Sequence, residues 1–122
     1  MKTMPALPLL VLGLAACQTV PAGQGDYRAI GTEPFWDLTI GRDLVFTDRG
    51  NNIQVAEPAP RARTGVAGET YVGRRLSVTI VHARCSDGMS DRSYPDTVTV
   101  TVDGRAYRGC GASIAFFGGP AR

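Results

Sequence analysis

The sequence predicts an all-β fold, a small antiparallel barrel of about eight short strands, over residues 27–117. Three observations carry that expectation. Apolar and polar residues alternate at period two in short runs, and Gly, Asp and Asn clusters cut the runs at close intervals. No long helical periodicity appears after residue 26. Roughly 96 residues remain for folding, enough for one modest core and too few for two domains.

Taken in order, Tyr27–Thr32 is a first short strand. Trp36–Ile40 alternates apolar with polar, and Gly41-Arg42-Asp43 turns it into Leu44–Thr47. The turn cluster Asp48–Asn52 leads into Ile53–Ala56, so three hairpin-linked strands form a meander. Glu57–Gly68, with Pro58 and Pro60, reads as an edge strand or as a crossing loop. Glu69–Val72 resumes a strand, and Gly73-Arg74-Arg75 turns it. Leu76–Ala83 is the best-patterned strand, with Leu76, Val78, Ile80 and His82 on one face. Thr97–Val102 alternates Thr with Val, and Asp103-Gly104 is a two-residue hairpin turn into Arg105–Cys110. Ser113–Phe117 adds a candidate closing strand, and residues 118–122 form a tail. Eight short strands suit a barrel that fills its interior with side chains.

The first sixteen residues stand apart. Lys2 supplies a basic start, Leu7–Leu14 an apolar run, and Leu14-Ala15-Ala16 a small-residue ending. That order is a secretory signal, too short to span a bilayer permanently. With Cys17 directly after it, the segment resembles the lipobox of bacterial lipoproteins. The resemblance implies cleavage before Cys17 and acylation of its thiol and new amino terminus, making the membrane a partner through that anchor. Two or more acyl chains hold stably, since each buried CH₂ contributes about 0.8 kcal/mol. By the sorting rule of enteric bacteria, Gln18 favours the outer membrane, facing the periplasm. Residues 17–26, small, polar and broken by Pro21, Gly23 and Gly25, read as the flexible tether.

Lys2 is the only lysine, and the whole chain carries a formal net charge of +2. That is no footprint for nucleic acid. With Cys17 acylated, Cys85 and Cys110 are the only thiols left in an oxidising compartment, and a disulfide between them is expected. It closes a loop of about 26 residues and adds roughly 3–4 kcal/mol in chain-entropy terms. The rival is a redox or metal site, but one histidine and no further cysteine supply too few zinc ligands. No metal or cofactor is expected.

The stretch from Cys85 to Pro95 gathers the least generic side chains: Asp87, Met89, Ser90, Asp91, Arg92 and Tyr94. Asp87 and Asp91 are a candidate acid–base or calcium pair, but the spacing does not fit a twelve-residue calcium loop. Asx-turns and capping by Ser86 or Asp87 explain them at lower demand, and Arg92 can pair with either acid. A second candidate patch is Glu33-Pro34-Phe35-Trp36. Trp36 shares parity with the core residues Leu38 and Ile40, whereas Glu33 faces solvent or the mouth of a pocket near the Asp87–Tyr94 loop. His82 needs a nucleophile and an orienting acid to be catalytic; a partly buried, hydrogen-bonded histidine is the simpler reading.

Gly31-Thr32-Glu33-Pro34-Phe35-Trp36, the run Cys85–Arg92 before Tyr94-Pro95, and the closing Gly109-Cys110 together resemble a family of bacterial envelope lipoproteins. The resemblance runs from Tyr27 to Cys110 and implies an envelope address, with no activity or residue roles attached. A looser similarity links the chain to the membrane-bound inhibitor of C-type lysozyme, without a match to that inhibitor's loop motif. The expected function is therefore a non-enzymatic binding or envelope-maintenance module that presents Glu33, Trp36 and the Asp87–Tyr94 loop to an envelope protein or a small ligand. The alternatives are an inhibitor of a cell-wall hydrolase such as lysozyme, and an enzyme using His82 or the Asp87/Asp91 loop.

Overall fold

The computed structural model describes residues 27–118. The expected signal segment 1–16, Cys17, the expected tether to residue 26 and residues 119–122 of the expected tail lie outside the described residues. The described chain is all-β. Its strands are β1 (Tyr27–Thr32), β2 (Phe35–Ile40), β3 (Asp43–Asp48), β4 (Ile53–Pro58), β5 (Arg63–Thr64), β6 (Gly68–Val72), β7 (Leu76–Val81), β8 (Cys85–Ser86), β9 (Ser93–Tyr94), β10 (Asp96–Val102) and β11 (Arg105–Ser113). Nine of them form one antiparallel sheet in the order β4-β3-β2-β1-β11-β10-β7-β6-β5, curled into a half-barrel. The remaining two, β8 and β9, pair as a separate short hairpin. Among the described residues no helix is long and apolar enough to cross a membrane.

Period-two alternation decides which face closes on the core. Leu76, Val78 and Ile80 of β7 and Val98, Val100 and Val102 of β10 point inward, meeting Leu38, Leu44 and Phe46 from the meander. Trp36, Phe46 and Tyr107 form an aromatic cluster, with ring centroids 4.8 to 6.1 Å apart. Trp36 pairs across strands with Gly31, and only a glycine fits there, because a Cβ would run into the indole. The Asp103–Gly104 turn has positive φ at both residues (48° and 88°), the primed geometry that suits tight hairpins.

The two outer strands of the sheet do not hydrogen-bond to each other. One side of the gap is bridged by Glu57 near the end of β4. Its carboxylate accepts from the backbone N–H groups of Arg74 (3.1 Å), Arg75 (3.1 Å) and Leu76 (2.7 Å). A single side chain thus does there what a ladder does elsewhere, satisfying donors that the β6–β7 turn leaves open. Asp48, at the end of β3, is fully buried and accepts from Tyr107 Oη (2.9 Å) and Asn51 Nδ2 (2.8 Å). The bonds from Asn51 hold its carboxyl below the usual carboxylate range against the opposing effect of burial.

Two expectations change, and one choice left open by the sequence is decided. Ser113–Phe117 is not a closing strand: β11 itself runs on to Ser113, pairing with Tyr27, and Ile114–Phe117 is a 3₁₀ turn ended by Gly118 (φ 95°). Alternation fails at Phe116 and Phe117 because both rings pack on Tyr94, at 5.2 and 5.7 Å. The weak Glu57–Gly68 stretch holds a two-residue edge strand, β5. β7 stops at Val81, where the N–H of His82 leaves the ladder for the carbonyl of Ala67.

Candidate functional site

Cys85 and Cys110 are bonded, with Cα atoms 5.5 Å apart. By alternation from the inward Tyr107, Cys110 faces away from the core, so the bridge pins the β8–β9 hairpin across the outer face of β11. The pinned hairpin and the β1–β2 turn then enclose a cleft of about 290 Å³. Its floor includes Ile30, Thr97, Arg108 and the disulfide. Thr32 and Glu33 form one wall, Ser86 and Asp87 the other. Thr32 Oγ1 donates to the carbonyl of Asp87 at 3.2 Å, joining the two walls across 55 residues of sequence.

The loop holding the second wall is built by its own side chains. Asp87 Oδ1 accepts from the N–H groups of Met89 and Ser90, both at 2.9 Å, and Ser86 Oγ accepts from Gly88 N–H at 3.1 Å. Tyr94 Oη donates to Asp87 at 3.3 Å, and Gly88 adopts φ 77°. The backbone bonds from Ser90 and Met89 hold the Asp87 carboxyl below its ordinary range. Asp87 is thus the organiser of the loop, in an Asx arrangement.

The structure sorts the candidate residues by what they face. Glu33, Met89 and Asp91 are exposed, while Trp36 and Tyr94 are buried. Ser90 ties Asp87 to the N–H of Arg92. Arg92 does not pair with either loop acid: its guanidinium donates to the carbonyl of Phe116 at 2.6 Å and lies over the Phe116 ring at 4.6 Å. Two apolar side chains close in sequence to the walls are largely exposed, Phe35 at 63% and Met89 at 67%. Arg108 was not singled out from sequence, yet its parity with Cys110 on β11 marks it as a neighbour of the bridge. Glu33 and Arg108 take part in none of the ion pairs formed among the described residues.

A separate polar cluster sits where β7 ends. His82 is exposed, not partly buried, and both ring nitrogens meet carboxylates: Nδ1 with Asp96 at 2.8 Å and Nε2 with Glu69 at 2.9 Å. Tyr27 Oη donates to the other Asp96 oxygen at 2.7 Å, and burial raises the Tyr27 phenol above its usual range. The bond to Asp96, then that to Glu69, pushes the imidazole up to about 9. With both nitrogens engaged, the ring offers no free position to a substrate. Among the described residues no group of three or more His, Cys, Asp or Glu side chains is arranged to hold a metal ion.

The sign of the pH dependence follows. The folded pKa lies above the unfolded value of about 6.5, so His82⁺ stabilises the fold fully below that pH. The contribution is lost as pH rises through about 9. Urea midpoints of the wild type should fall between pH 6.5 and 9, and His82→Gln should flatten that part of the profile. A wild-type curve that rises across the interval would reject the paired imidazolium.

No family model, curated protein or solved structure matches the chain.

Proposed function

We propose that the protein is a lipid-anchored, periplasm-facing envelope protein, held at Cys17, whose domain recognises an envelope protein or small ligand through the Glu33–Asp87 cleft. Kinship with the lipoprotein family that its two motifs resemble belongs to the same proposal. One observation carries the binding reading. The two least generic stretches of the sequence come together as opposite walls of one cleft, and each has a largely exposed apolar side chain two residues along the chain from its wall, Phe35 after Glu33 and Met89 after Asp87. Concave sites with a few unpaired polar groups and flanking apolar contacts are where recognition concentrates. Glu33 and Arg108 supply charges of both signs, and the disulfide keeps the walls from drifting apart. A non-enzymatic role accords with the engaged nitrogens of His82 and the loop-building role of Asp87.

The test is a photoreactive residue placed at position 35 or 89 in living cells. A discrete adduct should form at both positions, and Glu33→Ala or Arg108→Ala should remove it while leaving the free energy of unfolding within about 0.5 kcal/mol of wild type, as for other surface changes. Absence of any adduct at both positions, or adducts indifferent to Glu33 and Arg108, would overturn the assignment.

A further inference from the structure

The end of the half-barrel where the chain enters carries a second surface unlike the first. Tyr27 opens β1 directly opposite Ser113, and the Ile114–Phe117 turn follows at once. The chain therefore arrives beside that turn. Around it Tyr94, Phe116 and Phe117 form a ring cluster, with centroids 5.2 to 5.7 Å apart. Arg92 lies over Phe116 at 4.6 Å, and Arg28 lies over Phe117 at 5.2 Å. An open hollow of about 550 Å³ continues the patch, lined by Arg84, Ser93, Tyr94, Pro95 and Phe116, with no carboxylate among them. Arg28 is partly offset by Asp37 at 3.4 Å, whereas Arg84 is exposed and in no hydrogen bond or ion pair among the described residues.

We propose that this face docks on the phosphate headgroups of an anionic bilayer, the one that carries the acyl anchor, a proposal that rests on the lipid-anchor reading above. Three physical points favour that occupant. A guanidinium stacked on an aromatic ring leaves edge N–H donors open for phosphate, and the half-buried rings of Phe116 and Phe117 beside these cations suit the boundary of the headgroup layer. Residues 17–26 reach at most about 35 Å when extended, so an anchored Cys17 keeps the face within range of the bilayer. Tethering then turns a weak contact into an intramolecular one, and each arginine near an anionic surface adds about five-fold in partitioning.

Orientation follows from strand direction. β1 has six residues, about 20 Å of strand, and runs from the arginine–aromatic end to the Thr32–Phe35 turn. Docking by the entry end therefore points Glu33 and Phe35, at the β1–β2 turn, away from the membrane. The two surfaces are used at once, one to seat the domain and one to receive a partner.

The experiment uses the chain from residue 17 onward with Cys17→Ser, so that no acyl group contributes, and vesicles of phosphatidylglycerol or phosphatidylcholine. Co-sedimentation should be seen with phosphatidylglycerol, weaken with salt, and be absent with phosphatidylcholine. Arg84→Ala should lower partitioning about five-fold and Arg84→Glu further, with unchanged circular dichroism. Arg108→Glu, in the cleft near the opposite end, should leave it unchanged. Equal binding to both lipids, indifference to Arg84, or an equal loss with Arg108→Glu would overturn the docking face. The anchor is read independently from the intact mass of protein from cells: a mass without acyl groups removes the anchor and leaves the vesicle result standing.

Discussion

Trp36→Ala should destabilise the domain by about 3–5 kcal/mol, a large part of the total for a fold of this size. The indole is 4% exposed and packs against Phe46 and Tyr107, while Gly31 and Gly109 give it backbone on two further sides. Backbone of two paired strands cannot collapse into the vacated space, so the cavity term adds to the lost burial. Guanidinium unfolding followed by circular dichroism reads the effect, since the substitution removes the only tryptophan. A lower midpoint at unchanged slope is expected. A change under about 1 kcal/mol, beside a lost partner adduct, would instead return Trp36 to the binding surface.

Cys85→Ser with Cys110→Ser should lower stability by about 3 kcal/mol, the entropy restored to the unfolded chain when a link across 25 positions is cut. Reductant should reproduce the loss in the wild type, and intact mass should rise by two hydrogens on reduction. The local consequence exceeds the global one. The β8–β9 hairpin has a two-residue ladder, so without the bridge its attachments to the rest of the domain reduce to the Thr32 and Arg92 hydrogen bonds and the packing of Tyr94 on Phe116 and Phe117. The cleft should open, and the adduct at position 89 should disappear under conditions where the sheet is still folded. An unchanged midpoint in the double variant would contradict the bridge as a staple.

Much of this architecture is legible without coordinates, and the reason is local. Thr97–Val102 declares a strand because its valines alternate with threonines, and Asp103-Gly104 declares the hairpin because it tolerates positive φ. What escapes is what depends on pairing between distant strands. Arg108 and Glu33 share a cleft only because β1 lies beside β11 in the register Ile30 to Cys110, which no short-range pattern encodes. Glu69 and Asp96 meet at His82 for the same reason, through β6, β7 and β10. Arg92 has acids nearby in sequence yet turns to Phe116, donating to its carbonyl and stacking on its ring, a partner 24 residues away. The Phe116–Phe117 pair reads as strand by composition and becomes a 3₁₀ turn, its rings decided by Tyr94. Candidate residues picked by chemical variety therefore divide into surface groups and scaffolding only when their neighbours are known.

The bridging carboxylate of Glu57 has a colloidal consequence. An open sheet offers two rows of unpaired backbone groups, and such rows recruit further copies of a chain into ladders. Here one terminal strand is two residues long, which is too short to template growth. The other ends in Pro58, and Glu57 fastens it to the β6–β7 turn instead of leaving it extended toward a neighbour. On the lipid-anchored reading proposed above, crowding on a two-dimensional surface would raise the encounter rate between copies, and the side chain that bridges the gap would then also guard against polymerisation.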